Sequence, residues 1–127
     1  MATWNLTGMD SHLFICEGGT CKRGGAEEVT EAIRHEIRLN GADSRIHTTR
    51  TRCNGRCEDA CVVIHYPEGN WYRDMTPAKA RRLVAGILKG NSLEEQLLYS
   101  YADCLVPVST NAAAGIEKPA GQPGLKQ

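Results

Sequence analysis

Apolar positions along the chain fall into short blocks set apart by glycine, proline and charged residues, and their spacing changes from block to block. Residues 12–16 form a brief apolar run, Leu13, Phe14 and Ile15 at its centre, which reads as a buried strand. Between residues 26 and 39 the period switches to that of a helix: Val29, Ile33 and Ile37, with Ala32 beside them, make one apolar stripe. Glu27 and Glu28 in its first turn and Arg38 in its last suit the helix dipole, and Asn40-Gly41 supplies the stop. Residues 45–51 alternate, with β-branched Ile46, Thr48 and Thr49, and predict a second strand. Residues 61–66 make the clearest strand, and residues 67–70 a turn that returns through Trp71 and Tyr72 as a hairpin. Thr76-Pro77 opens another helix, with Ala80, Leu83, Val84, Ile87 and Leu88 inward, and Gly90-Asn91 closes it. Ser92 and Glu95 form a capping-box pattern that predicts one more short helix reaching Leu98. Residues 17–25 and 52–60 are left as loops.

Strand, helix, strand, hairpin, helix is the order of a small α/β domain in which one sheet carries helices. At 127 residues the chain suits one domain. Its expected limits are residues 12–104, after an arm at 1–11 and before a tail at 105–127. That tail holds three of the five prolines among alanine and glycine, and is expected to be flexible. Fifteen basic residues balance fifteen acidic ones, which argues against a nucleic-acid binder or a polybasic membrane-surface protein. No apolar run approaches the ~20 residues of a membrane span. The first fifteen residues lack the basic and apolar regions of a secretory leader, so a cytoplasmic protein is expected.

Against that background the six cysteines stand out, because thiols in a reducing compartment more often bind metal or do redox chemistry than form bridges. Cys16 and Cys21 form C-x4-C, Cys53 and Cys57 form C-x3-C, and 31 residues separate the pairs. Each pair falls in or beside a glycine-containing loop at the end of a predicted strand. Gly18, Gly19 and Gly55 would let the backbone approach an inorganic core and aim amide N–H groups at its sulfurs. A helix and a return strand between the loops can bring both to one end of the sheet. Converging thiolates then leave a dinuclear iron–sulfur cluster, a structural zinc, or incidental thiols. Zinc favours C-x2-C knuckles, which neither pair has, whereas two irons with two thiolates each suit wider gaps.

The stretch from Leu13 to Cys16, then Cys21 to Gly25 leading into a helix, resembles the front half of the thioredoxin-like 2Fe–2S ferredoxins. Cys53-Asn54-Gly55-Arg56-Cys57, followed by Val62 to Tyr66 and the Tyr66-Pro67-Glu68-Gly69-Asn70-Trp71-Tyr72 turn, resembles their back half. The resemblance spans roughly residues 13–90 and implies a thioredoxin-like fold, a small mixed sheet flanked by helices. It also implies one 2Fe–2S cluster per chain held by Cys16, Cys21, Cys53 and Cys57. The expected role is one-electron transfer between redox partner proteins, with no substrate turned over, and a homodimer for which the hairpin rim offers Trp71 and Tyr72. The paired spacing is similar as well to the 2Fe–2S subunit of NADH-dehydrogenase and hydrogenase complexes, so a subunit of a larger oxidoreductase is the alternative; a zinc-stabilised interaction domain is a distant one.

One departure stands beside the site. Where the family has Gly-Pro before the strand, this chain has Ala60-Cys61, placing a fifth thiol in another C-x3-C relation with Cys57. Cys61 is expected at the head of a strand and outside the ligand set. Cys104 lies beyond the resemblance and reads as a tolerated thiol. His12, His35, His47 and His65 are scattered, and His35-Glu36 lacks the second histidine of a zinc-protease helix. Gly19 to Gly24 starts like a P-loop but continues without its lysine. Lys22, Arg23, Arg50, Arg52 and Arg56 lie within three residues of a proposed ligand, against Glu17, Glu58 and Asp59, a local excess of two positive charges that would favour a reduced cluster.

Overall fold

Strand β1 (Ser11–Cys16) occupies an interior position in a six-stranded sheet of order β2-β1-β3-β4-β5-β6. The computed structural model describes residues 2–108 and 114–119. Strand β1 pairs in parallel with β2 (Ile46–Thr51), Ser11 opposite Ile46 and Cys16 opposite Thr51. Parallel neighbours need a long crossover, and α2 (Ala26–Leu39) supplies it. On its other side β1 runs antiparallel to β3 (Val63–Tyr66), which turns through Pro67 to Gly69 into β4 (Asn70–Tyr72). Helix α3 (Pro77–Leu88) follows, its start held by Thr76 Oγ1 accepting from the Lys79 amide at 3.3 Å, a cap worth about 1 kcal/mol.

Register explains which residues face the core. Ile15, Val63, Tyr72 and Leu97 lie opposite one another on successive strands, and all are buried. With Leu13 they meet Val29 and Ile33 of α2 and Leu83 and Val84 of α3 in one cluster. The alternate positions, Phe14, Ile64, Trp71, Tyr99 and Pro107, line the other face of the sheet, which is rich in aromatic rings. Phe14 stacks on His12 at 3.9 Å and meets Tyr66 edge-on, and Trp71 meets Tyr99 edge-on. Tyr72 is therefore a core residue and not part of an exposed hairpin rim; only Trp71 of that expected pair points to the outer face.

Four local expectations change. The loop at residues 17–25 contains a short helix α1 (Gly19–Arg23), which carries Cys21. Cys61 precedes β3 instead of heading it: the strand begins at Val63, and the Cys61 carbonyl accepts from the Met75 amide at 3.0 Å. The short helix expected over residues 92–98 is one 3-10 turn, Glu94–Gln96, followed by strand β5 (Leu97–Tyr101). Ser92 donates to Glu94 at 2.9 Å instead of capping a helix, and the segment satisfies its backbone on β4, with the Arg73 amide donating to the Gln96 carbonyl at 2.9 Å. Pairing with an open sheet edge overrides the local signal. The sheet also runs past Cys104, the expected domain limit: Leu105–Pro107 forms β6, with Val106 opposite Ser100. Of the expected flexible tail, residues 109–113 and 120–127 lie outside the described residues.

Candidate metal centre

Both cysteine pairs sit at the end of the sheet where β1 and β2 finish. Cys16 is the last residue of β1, and its amide donates to the Val62 carbonyl at 3.0 Å. Cys21 rides on α1; both thiols are buried. Cys53 lies two residues beyond β2, Cys57 opens a 3-10 turn (Cys57–Asp59), and both are exposed. Their Sγ atoms are 3.5 Å apart. Cys16 and Cys21 likewise share a side-chain hydrogen bond, and Cys57 feels both the Thr20 side chain and the charge of Cys16. The topology thus brings all four residues together, as two adjoining pairs.

Gly18 is where the two loops touch. A Cβ built there would lie 2.8 Å from both Cα and Cβ of Cys53, closer than packed carbons approach. Glycine is thus required by the neighbouring ligand loop rather than by the cluster itself. Gly55 has φ +85°, and its amide donates to Cys53 Sγ at 3.3 Å, as its expected role demands. Gly19 shows no such need: the nearest atom to its Cβ position is the end of the Arg23 side chain, at 3.3 Å.

Hydrogen bonds set the electrostatics of the sulfurs. Burial works to raise the Cys16 thiol, but the backbones of Gly18 and Asn54, then the Cys21 and Asn54 side chains, overcome it and hold the thiol below its ordinary value. Burial pushes Cys21 up to about 12, against a hydrogen bond from the Val62 backbone. Cys57 is raised first by its hydrogen bond to Cys53. Around the pairs, three of the five nearby cations meet carboxylates: Arg56 with Asp59 at 2.7 Å, Arg50 with Glu17 at 3.4 Å and Lys22 with Glu27 at 3.6 Å. Glu17 and Asp59 already stood in the count along the sequence, so only Glu27 is new to it, and the local excess falls from two positive charges to one.

A dinuclear cluster asks for two thiolates on each iron, backbone N–H groups toward sulfur, and a close approach of the ligand loops. Two thiol pairs, donors at Gly18, Asn54, Gly55 and Val62, and the contact at Gly18 meet those needs. Among the described residues no three His, Cys, Asp or Glu side chains are grouped as a single metal ion would require. The family model described as thioredoxin-like [2Fe-2S] ferredoxin matches residues 4–88.

The chain belongs to that family. It is 45% identical over 121 residues to a Priestia megaterium protein named as a 2Fe–2S ferredoxin, the match covering 93% of this chain and 94% of the relative. It is 30% identical over 101 residues to the 2Fe–2S ferredoxin of Aquifex aeolicus, covering 70% and 88%. The structure of a thioredoxin-like [2Fe–2S] ferredoxin from Aquifex aeolicus superposes with a TM-score of 0.67 at 25% identity, over 74% of this chain and 94% of that one. The expected thioredoxin-like fold, the 2Fe–2S cofactor and the electron-carrier role of a ferredoxin all follow. Among the described residues no helix is long and apolar enough to cross a membrane.

Two features of the site escaped the sequence reading. Asp59, counted only as a nearby charge, is buried, and Arg56 lies against both it and Tyr99. The second feature is the chain beyond residue 113: Ala114, Gly115 and Ile116 line a cavity of about 240 Å³ with Gly55 to Asp59, beside the second ligand pair. Nothing in their composition points to that contact.

Proposed function

We propose that Cys16, Cys21, Cys53 and Cys57 hold the one 2Fe–2S cluster of this chain. In this reading the protein is a non-enzymatic cytoplasmic carrier that works as a homodimer between a reductase and an acceptor enzyme. The observation that supports the ligand set best is the meeting of two thiol pairs, one buried and one exposed, at a single end of the sheet. When bound, the cluster supplies a one-electron couple. The buried Cys16 and Cys21 would hold it from beneath the surface and the exposed Cys53 and Cys57 from the outer loop, where a partner protein could dock. Amide donors at Gly55 and Gly18 stabilise the extra negative charge on sulfur.

That the relatives of this chain are named as ferredoxins supports a carrier over a subunit of a larger oxidoreductase. The open aromatic face bearing Phe14, Tyr66 and Trp71 is the surface that suits an isologous dimer contact. Iron and acid-labile sulfide analysis tests the central reading. The expected result is two of each per chain, with visible absorbance bleached by dithionite; a colourless folded protein holding one zinc overturns it. Replacing Cys16, Cys21 or Cys53 with alanine should abolish or degrade the spectrum.

A further inference from the structure

Arg56 stands between the two exposed cysteines, yet its side chain is only 13% exposed. Nη2 and Nε both reach Asp59 Oδ2, at 2.7 and 2.8 Å, and the Asp59 side chain is 5% exposed. The guanidinium carbon lies 5.4 Å from the centre of the Tyr99 ring, which Trp71 holds edge-on at 5.9 Å. Asp59 is itself fixed at both ends of its backbone: its amide donates to the Arg56 carbonyl at 3.0 Å, and its carbonyl accepts from Asp74 at 3.0 Å. On the far side Gly115 closes in, its Cβ position 3.1 Å from Arg56 Nη1.

These contacts matter because residues 52–56, which carry Cys53 and lead into Cys57, belong to no helix or strand. Such a segment has little of its own to keep two sulfurs in a fixed relation. A buried ion pair is costly to break from one side, since the partner is left as an uncompensated charge. A planar guanidinium that forks onto one carboxylate and lies over an aromatic ring also fixes direction, which an ammonium does not. We propose that Arg56 is a positioning residue for the cluster: clamped between Asp59 and Tyr99, it fixes the loop that presents Cys53 and Cys57. The proposal rests on the ligand set given above.

The test uses the full chain loaded with its cluster. Arg56→Gln and Asp59→Asn are each expected to release iron to a chelator about tenfold faster than the parent, the scale on which groups supporting metal ligands act. The visible circular dichroism, which follows the arrangement of the sulfurs, should change as well. Arg56→Lys keeps the charge but lacks the fork and the flat face, so it should not restore either readout. If Arg56→Gln fails to accumulate, Tyr99→Leu removes only the ring and carries the same expectation. Parental iron release and dichroism in these variants overturn the clamp, and so does full rescue by lysine. A Cys53→Ala protein made in parallel separates the two levels: an unaltered cluster spectrum there overturns the ligand set, whereas its loss beside parental Arg56 variants overturns the clamp alone.

Discussion

Cys61 lies 2% exposed with its Sγ 3.4 Å from the Cys21 carbonyl, so the fifth thiol is against the inner ligand pair and not on the outer loop. Burial raises it above an ordinary thiol, and the charges of Cys16, Glu28 and Asp74 add to the effect. It is a small apolar filler there. Cys61→Ala should keep the visible spectrum and iron content of the parent, while Cys57→Ala should lose iron, because Cys61 lies buried at the inner pair and does not stand in for an outer ligand. Gly18 is the opposite case, a residue with no side chain whose replacement should be felt at once. In Gly18→Ala the new methyl meets the Cys53 backbone, which cannot rotate away as a side chain could. Overpacking of this kind costs on the order of 1–3 kcal/mol. The expected outcome is a lower denaturation midpoint of the apoprotein together with poorer iron retention.

At the scale of elements, what the chain reveals depends on whether its signals are local. Helix α2 is legible from Val29, Ile33 and Ile37 because one face of one segment has to be apolar, and helix α3 is legible from Thr76-Pro77 for a similarly local reason. The four proposed ligands are legible because spacing and turn residues travel together in a short stretch. Strand β5 is not, since its strand character comes from β4 and β6 on either side, and the Ser92 and Glu95 pattern points the other way. Nor could the sequence show that Asp59 is buried, because its partners Arg56 and Asp74 close around it only after folding. Leu98 provides a check on the strand. It is fully buried in β5, so Leu98→Ala should cost about 2–5 kcal/mol in denaturant unfolding. A frayed helix end would lose far less.

For the whole molecule, helices α2 and α3 pack on one another over one face of the sheet, and the other face carries Phe14, Tyr66, Trp71 and Tyr99. Tyr66 is 43% exposed there, at the register position opposite His12. If this face joins two copies, as proposed, a charge at its exposed ring repels its own counterpart across the two-fold axis. Sedimentation at micromolar concentration should therefore find the parent as a dimer and Tyr66→Glu as a monomer, both with the same cluster spectrum. A parent that sediments as a monomer removes the dimer without touching the ligand set.

The unequal depth of the two cysteine pairs has a consequence for the protein before it acquires iron. Empty, the chain offers oxidants two surface sulfurs 3.5 Å apart at Cys53 and Cys57, while Cys16 and Cys21 are shielded beneath them. Exposure makes the outer pair the one that dioxygen can reach, and passing two electrons and two protons to dioxygen would join those sulfurs and close the door through which metal must enter. Damage of this kind would be reversed by a thiol reductant, which attacks the disulfide, is itself oxidised and returns both sulfurs to thiols. Maturation is thus tied to the reducing power of its surroundings: the same opening that lets electrons out after assembly makes the unassembled chain perishable.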